Sequence, residues 1–341
     1  MSRLLTRLAL AGTAAWYARE VARAVRVHPR HAELERTNFH GRTVSLAGGP
    51  ALATAATATA ALGAGSLPLA TAALVAGAGA GAAGFYDDAV GGRPEHKAKG
   101  FRGHLSALRE GRVTSGLVKI AGVGTAALAA AALVEADRSA RASTAARRVE
   151  RKRGSARGAG SGGSARDAAA NGRAAKTRRG AVIVPRRSAS RRLLDVGLGA
   201  GVIAGTANLL NLLDLRPGRA LKAGVIVAAP LLPGRSGGLV AGPLGATAGL
   251  FPDDLDEQIM LGDTGANALG ALLGLALIAR CGTGGRAALL AGLVALTAAS
   301  EKVSFTSVIE ATPGLRELDA LGRRTDRDID GSGPDRSRFL G

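Results

Sequence analysis

Long stretches with almost no charge recur along the chain, separated by shorter polar segments. Each has about the length that a membrane helix needs, since about 20 helical residues cross a hydrocarbon core of about 30 Å. The pattern predicts nine membrane-spanning helices, at residues 4–24, 44–64, 66–84, 115–134, 194–213, 219–233, 235–251, 264–282 and 285–303. We therefore predict an all-α, polytopic integral membrane protein, because a soluble bundle would need a very large core to hide nine such helices.

The first predicted span is the most polar of the nine. Arg7, Arg19, Glu20 and Arg23 leave only residues 8–18 free of charge. We interpret it as a retained helix, and the hydrophobic core of a signal peptide is the alternative.

The composition predicts how the helices pack. The chain of 341 residues has 50 glycines but only one Trp, two Tyr and six Phe. A core of Ala, Leu, Val and Gly predicts helices that approach closely through small side chains. The single cysteine, Cys281, excludes an internal disulfide and a Cys-based zinc site.

Most of the positive charge lies in one segment. The formal charge is +19, and residues 136–192 hold 17 Lys and Arg against three acids, which accounts for +14 of it. Because this segment is rich in Gly, Ala, Ser and Arg, it has little to bury, and we predict a disordered insertion. It separates four predicted membrane helices in residues 1–135 from five in residues 193–303, and a polar tail follows at 304–341.

The insertion does not predict a nucleic-acid partner, because residues 138–192 contain no aromatic side chain on which a base could stack. Contact with anionic lipid headgroups or an anionic wall polymer is our hypothesis for its role. A passive linker is the alternative.

The loops between nine spans alternate between the two faces of the membrane. Loops 25–43 and 85–114 carry clusters of Arg and Lys, so the positive-inside rule predicts that their face is cytoplasmic. The same face receives most of the acids that flank the spans, among them Asp87, Asp88 and Asp263. We predict a multi-pass protein of the plasma membrane with its active site on the cytoplasmic face, and an insertion on the outer face.

The pair Asp87-Asp88 directly follows a predicted span. Adjacent carboxylates are stable in ionised form with a cation nearby, and hard oxygen ligands suit Mg²⁺. Nearby cationic side chains are candidates for contacts with phosphate, namely Lys99, Arg102 and Lys119. A solvated turn for the aspartates, and snorkelling toward the membrane interface for the cations, are the alternatives.

Two further motifs place polar residues at the ends of apolar spans. Asn208, Asn211 and Asp214 recur at a spacing of three, which keeps their side chains near one helix face and predicts a shared pocket. Hydrogen bonding between helices is the alternative. Asp263 begins a later span, where it can cap the helix, and the helix N-terminus also favours an anion nearby.

Together these motifs resemble the polyprenyl-phosphate N-acetylhexosamine-1-phosphate transferase family, glycosyltransferase family 4. This family contains the phospho-MurNAc-pentapeptide translocase and the bacterial UDP-GlcNAc:undecaprenyl-phosphate transferases. Four segments carry the resemblance, in the family's order: Asn38-Phe39-His40-Gly41-Arg42, Phe85-Tyr86-Asp87-Asp88 with Lys99-Gly100, Asn208 to Asp214, and Gly262 to Gly270.

The resemblance implies an Mg²⁺-dependent transferase that moves a sugar 1-phosphate from a UDP-sugar to a polyprenyl phosphate and releases UMP, in peptidoglycan or other cell-envelope biosynthesis. It implies catalytic roles for Asp87, Asp88 and Asp263, and metal ligation by Asp263, Asn211 and Asp88. It also implies that the residues in contact with substrate are Asn208, Asn211, Asp214, Lys99, Arg102 and Lys119. The implied partners are the two substrates and the membrane, with a homodimer left open.

The chain also departs from the family. Members have a His-rich motif in the last cytoplasmic loop and then a tenth span, whereas all five histidines here precede residue 105 and no apolar span follows 303. The alternative is therefore a catalytically degenerate relative that binds a polyprenyl lipid or acts as a scaffold in envelope assembly.

Overall fold

The computed structural model describes residues 3–91, 93, 100–159 and 188–323. Within them the chain is almost entirely α-helical, with one short two-stranded antiparallel sheet, β1 (Glu35–Thr37) and β2 (Thr43–Ser45). The helices are α1 (Arg3–Val27), α2 (Gly48–Leu62), α3 (Leu67–Val90), α4 (Gly100–Arg109), α5 (Ser115–Ala159), α6 (Ala189–Leu213), α7 (Arg219–Ala228), α8 (Gly237–Leu255), α9 (Gly262–Arg280), α10 (Thr283–Ser300), α11 (Phe305–Ala311) and α12 (Leu315–Ala320). The prediction of an all-α membrane protein is supported.

Five helices are long and apolar enough to cross a membrane: α3, α5 as far as Val149, α6, α9 and α10. Each of the other four predicted spans contains a helix. The span predicted at 44–64 nevertheless begins in β2, α2 has only 15 residues and α7 only 10. At 1.5 Å per residue, α7 is about 15 Å long. A 3₁₀ turn at Ala229–Leu231, which contains Pro230, follows it. The total of nine spans therefore stays a prediction.

Helix α5 corrects the predicted limits of the insertion. It is 45 residues long and continues from the apolar stretch through Ala159, and α6 already begins at Ala189. Residues 136–159 and 189–192 are thus helical rather than disordered. The physical reason is that the first part of the segment is rich in Ala and Arg, which favour helix, whereas most of the Gly-Ser repetition follows Ala159. Residues 160–187 and the end of the tail, 324–341, lie outside the described part of the chain.

Small side chains hold the bundle together, as the composition predicts. The buried core consists mainly of Ala and Leu. At Gly84 of α3, an added Cβ would overlap the carbonyl group of Asp263, and at Gly270 of α9 it would overlap the backbone of Ala207 on α6. Close backbone approach at these glycines brings α3 and α6 against α9.

The helix ends collect into two polar regions. The acidic end contains β1 and β2, the last turns of α3, α6 and α8, the first turns of α5, α7 and α9, and helices α11 and α12. The arginine end contains the starts of α1, α3, α6, α8 and α10, the ends of α2 and α9, and α5 from Val134 to Arg147. Contacts such as Asp88 to Thr264 join elements at the first end, and Arg7 to Gly234 joins elements at the second. The loops that the alternation rule assigned to one face therefore meet at one end of the bundle.

Candidate functional site

Asp88 holds the start of α9 at the acidic end. Its carboxylate accepts hydrogen bonds from the backbone N–H of Asp263 (3.0 Å), the backbone N–H of Thr264 (2.9 Å) and the Thr264 hydroxyl (2.5 Å). The first N–H groups of a helix lack partners within it, so a carboxylate there satisfies them and interacts favourably with the helix dipole. The sequence had suggested that Asp263 caps this helix. The cap is instead Asp88, which comes from α3.

Asp263 is free to take a different partner because Asp88 caps the helix. The Lys119 amino group donates to Asp87 Oδ2 at 2.8 Å and to Asp263 Oδ2, so it lies between the two carboxylates. All three side chains are between 16% and 22% exposed, so the triad is accessible from solvent without being fully hydrated. Lys119, Asp87 and Asp263 are three of the predicted site residues, and the structure brings them into direct contact.

A fourth carboxylate approaches the same region from α6. The backbone N–H of Gly262 donates a hydrogen bond to Asp214, but the Oδ2 atom of Asp214 is buried and has no hydrogen-bond partner within the described residues. Burial, followed by the negative charges of Asp254 and Asp263, raises the pKa of Asp214 well above its usual value. Asp254 itself is buried and accepts a hydrogen bond from the backbone N–H of Gly218 at 2.6 Å.

The two asparagines of the same motif do not join the carboxylates in the way their spacing suggests. Asn208 donates to the Thr297 hydroxyl of α10 at 3.3 Å and lines a separate cavity of about 730 Å³ between α6 and α10. This is the interhelical hydrogen bond that the sequence left as an alternative. For Asn211, only its backbone carbonyl has a hydrogen bond outside the helix, from the N–H of Asp214, among the residues described.

The first loop attaches to the acidic end through a residue that sequence reasoning missed. Asn38 donates to Glu257 Oε2 at 2.6 Å, and a ring nitrogen of His40 lies 2.9 Å from Glu257 Oε1. The Glu257 side chain is 3% exposed and its backbone is left-handed, with a φ of 57°. Asn38 and His40 belong to a segment of the family resemblance, but nothing local distinguishes Glu257 from the other acids of its loop.

Arg36, in the strand before that segment, donates to the carbonyl oxygen of Asp88 and so ties β1 to the last turn of α3. The guanidinium of Arg216 lies 3.7 Å from the centre of the Phe39 ring. These contacts place the first loop beside the carboxylates.

A basic cluster lies next to the carboxylates, where α12 docks on α7. Arg219 donates to both carboxylate oxygens of Asp319 (2.8 and 2.9 Å), Arg323 lies 2.7 Å from the same group, and Lys222 donates to the Asp319 carbonyl at 2.6 Å. Burial alone would raise the pKa of Asp319, but Arg219 and Arg323 outweigh it and hold that pKa below its usual value. Asp319 is therefore a buried contact through which the tail packs against the acidic end.

Two predicted phosphate contacts are not described by the structure. Lys99 lies outside the described residues, and Arg102 belongs to α4, of which only the backbone is described at that position. Their predicted roles stay predictions.

The donor atoms at the acidic end are of the type that Mg²⁺ prefers. They are carboxylate oxygens, and the buried, unpartnered Oδ2 of Asp214 is an acceptor that a cation would satisfy. In the described part of the chain, however, no three His, Cys, Asp or Glu side chains are grouped closely enough to hold a metal ion. The cation that the structure shows among the carboxylates is the Lys119 ammonium. The chemistry of the donors fits magnesium, and metal ligation by Asp263, Asn211 and Asp88 stays a prediction.

Comparison with known proteins gave no match to a protein-family model, to a curated protein or to a solved structure. A function for this chain therefore has to be argued from the acidic end itself and from the motifs that meet there.

Proposed function

We propose that the chain is a membrane transferase that moves a sugar 1-phosphate from a UDP-sugar to a polyprenyl phosphate and releases UMP. One observation carries this proposal: Asp87, Lys119 and Asp263 are distant in sequence but form one ionic triad, beside Asp88 and Asp214, at one end of an apolar helix bundle. A lipid phosphate and a water-soluble nucleotide can meet only at the interface between membrane and water, where such an end of a helix bundle lies.

The reaction needs positioning and charge neutralisation more than covalent chemistry from the protein. An oxygen of the lipid phosphate forms a bond to the β-phosphorus of the UDP-sugar, and the bond from that phosphorus to the bridging oxygen breaks, so that UMP leaves with the electron pair. A phosphate monoester has a second pKa of about 6, so it is already largely dianionic at neutral pH and needs no strong base.

Each residue of the acidic end has a role in this scheme. Lys119 neutralises charge on a phosphate, and Asp87 holds the Lys119 ammonium in place. Asp88 fixes the start of α9 and so positions Asp263. Asp263 and Asp214 are the carboxyl groups best suited to hold Mg²⁺, and Asp214 would release its proton on binding the ion. When bound, Mg²⁺ supplies charge neutralisation for the pyrophosphate and its leaving group.

The test is a donor screen with the purified full-length protein in detergent. UDP-GlcNAc, UDP-MurNAc-pentapeptide and related donors are offered with undecaprenyl or decaprenyl phosphate, and UMP release is measured with and without Mg²⁺. We expect Mg²⁺-dependent UMP release from at least one donor. Asp263→Asn should reduce it at least about a hundredfold, because it removes a carboxylate that would hold Mg²⁺ beside the reacting phosphates.

Asp253→Asn is the matched control, since Asp253 is a partly exposed carboxylate at the same end whose side chain makes no contact with the triad. It should leave UMP release within about twofold of wild type. Wild-type turnover by folded Asp263→Asn would contradict the proposal.

A second candidate is a degenerate relative that binds a polyprenyl phosphate without turning it over. The observation that favours it is the placement of the Lys119 ammonium between Asp87 and Asp263, which compensates both carboxylates without a metal ion. Retention of radiolabelled undecaprenyl phosphate by the purified protein, together with no UMP release from any donor, would support this candidate over the enzyme.

A further inference from the structure

A cavity of about 1520 Å³ opens at the arginine end, opposite the proposed active site. Six parts of the chain line it: the start of α1, the α2–α3 turn, α5 beyond Val134, the start of α6, the start of α8 and the α9–α10 junction. Eight arginines and only two acids, Glu135 and Asp137, are among its lining residues. The proposed transferase reaction uses none of these side chains.

Four of the arginines serve the structure of the cavity wall. Arg138 donates to carbonyl oxygens at the end of α9, among them that of Cys281 at 2.6 Å. Arg280 donates to the Pro230 carbonyl (2.8 Å), and Arg7 donates to the Gly234 carbonyl (2.8 Å). The fourth is Arg141, whose Nε lies 2.6 Å from Asp137. These arginines tie neighbouring helix ends together.

The two acids of the cavity are also neutralised within the protein. Glu135 lies 2.8 Å from a guanidinium nitrogen of Arg286, a residue that is completely buried. Asp137 pairs with Arg141 and accepts a hydrogen bond from Ser66 at 2.6 Å. The acids therefore do not offset the charge of the remaining arginines.

The other four are Arg3, Arg147, Arg192 and Arg235, and their side chains make no hydrogen bond or ion pair with another described residue. The Nε atom of Arg192 is buried without a hydrogen-bond partner. Guanidinium groups that share a half-open cavity repel one another, and their planar set of N–H donors matches the oxygens of a phosphate group. Among the described residues that line the cavity, these four guanidinium groups have no acid left to pair with.

The walls of the cavity also indicate the kind of anion. Leu10, Leu69, Val134 and Leu239 line it together with the arginines, so an apolar surface continues from the charged rim toward the bundle. A free phosphate would leave that surface exposed to water, whereas the chains of a lipid would cover it. Basic pockets between membrane helices bind anionic lipid headgroups in this way.

We propose that this cavity binds the phosphate headgroup of an anionic membrane lipid, with Arg192 and Arg235 as the main contacts. Both lie at helix starts, Arg192 in the first turn of α6 and Arg235 just before α8. The site is separate from the acidic end, and it stands whether or not the transferase proposal holds.

The test measures lipid binding to the full-length protein in detergent by native mass spectrometry. Phosphatidylglycerol, phosphatidylcholine and inorganic pyrophosphate are titrated separately into wild type and into two double variants, Arg192→Gln/Arg235→Gln and the charge-matched control Arg112→Gln/Arg316→Gln. Arg112 and Arg316 are exposed residues at the acidic end, with side chains 55% and 60% accessible. Size-exclusion chromatography verifies that each variant is folded.

We expect wild type to bind phosphatidylglycerol at least about tenfold more tightly than phosphatidylcholine. The double variant at the cavity should weaken phosphatidylglycerol binding roughly 30-fold, and Arg235→Gln alone roughly fivefold, since each arginine near a membrane surface contributes about 1 kcal/mol. An equal loss in the control variant, or equal affinity for phosphatidylcholine, would overturn the proposal. Equal affinity for pyrophosphate would overturn the lipid assignment and point to a soluble anion.

Discussion

The two ends of the bundle use charge in opposite ways. At the acidic end, the side chains of Asp87, Lys119 and Asp263 bind one another near solvent, so the ions face the place where a substrate would arrive. At the arginine end, the guanidinium of Arg138 binds backbone carbonyls and that of Arg286 pairs with Glu135 in the core. At the acidic end, a charged side chain can give up its partner for a ligand at little cost in free energy. The Arg286–Glu135 pair cannot, because it lies in the core and has no water to replace a lost partner.

This difference explains why the net charge of +19 is a poor guide to function. The net charge is a sum over two different groups. One is the arginines that join helix ends, and the other is the acids that form the proposed site. Variants at the two ends should therefore separate stability from activity, and the following predictions run from the largest expected effect to the smallest.

Arg286→Met should have the largest effect, and on stability. The substitution leaves the Glu135 carboxylate without its buried partner, and breaking one side of a buried ion pair costs about 3–5 kcal/mol in the free energy of unfolding. Thermal unfolding in detergent measures the loss. UMP release per folded molecule should stay close to wild type, and a specific loss of activity would remove the distinction between the two ends.

The reverse pattern is expected for Lys119→Met. Loss of the ammonium that lies between Asp87 and Asp263 should lower UMP release about a hundredfold, equivalent to about 2.7 kcal/mol. The triad is partly exposed, so water can hydrate the two carboxylates and the unfolding free energy should fall less than in Arg286→Met. Parallel assays of activity and unfolding on both variants test this, and a larger stability loss in Lys119→Met would contradict it.

A smaller effect is expected for Asp88→Ala, which removes the cap of α9. Loss of a helix cap lowers the free energy of unfolding by about 1–2 kcal/mol. In Asp88→Ala, three hydrogen bonds to the first turn of α9 are lost. The amides of Asp263 and Thr264 should exchange hydrogen faster in the variant, as measured by mass spectrometry. Asp88→Asn keeps an acceptor oxygen and should show a smaller change. Unchanged exchange in Asp88→Ala would show that the cap contributes nothing.

Measured over one pH unit, the smallest effect concerns the pH dependence of stability. Because the pKa of Asp214 is raised well above its usual value, its carboxyl keeps its proton in the native state at pH values where the unfolded chain has lost it. The contribution of Asp214 to the free energy of unfolding is therefore at its full value below about pH 4. It falls as pH rises toward the native pKa, by at most about 1.4 kcal/mol per pH unit. Asp214→Asn should flatten the decline of Tm between pH 4 and 8. Identical slopes in the two proteins would contradict this.

The sequence predicted the helices better than it predicted their limits. Each of the nine apolar stretches contains a helix, because an apolar run of this length is a local signal. The start of the insertion was wrong, since Ala and Arg favour helix and α5 continues through Ala159. The short length of α7 was missed because Pro230 was counted within an apolar run rather than as a helix terminator.

The candidate site was predicted in its residues but not in its contacts. Asp87, Asp88, Lys119 and Asp263 were identified from local motifs, yet the sequence did not show that Asp88 would cap α9 or that Lys119 would join the other two. Asn208 was placed in the substrate pocket by its spacing, and the structure turns it toward α10. Spacing on one helix defines a face of that helix, and only the neighbouring helix decides what the face meets.

The sequence by itself determined the environment of the helices, because runs of apolar residues predict membrane helices whatever other helices they pack against. The tertiary structure alone decided which charges meet. Lys119 reaches Asp87 and Asp263 across separations of 32 and 144 residues, and Arg286 reaches Glu135 from another helix. Ionic contacts over such separations depend on how closely the backbones pack, at glycines such as Gly84, and close packing is a property of the assembled helices rather than of any one segment.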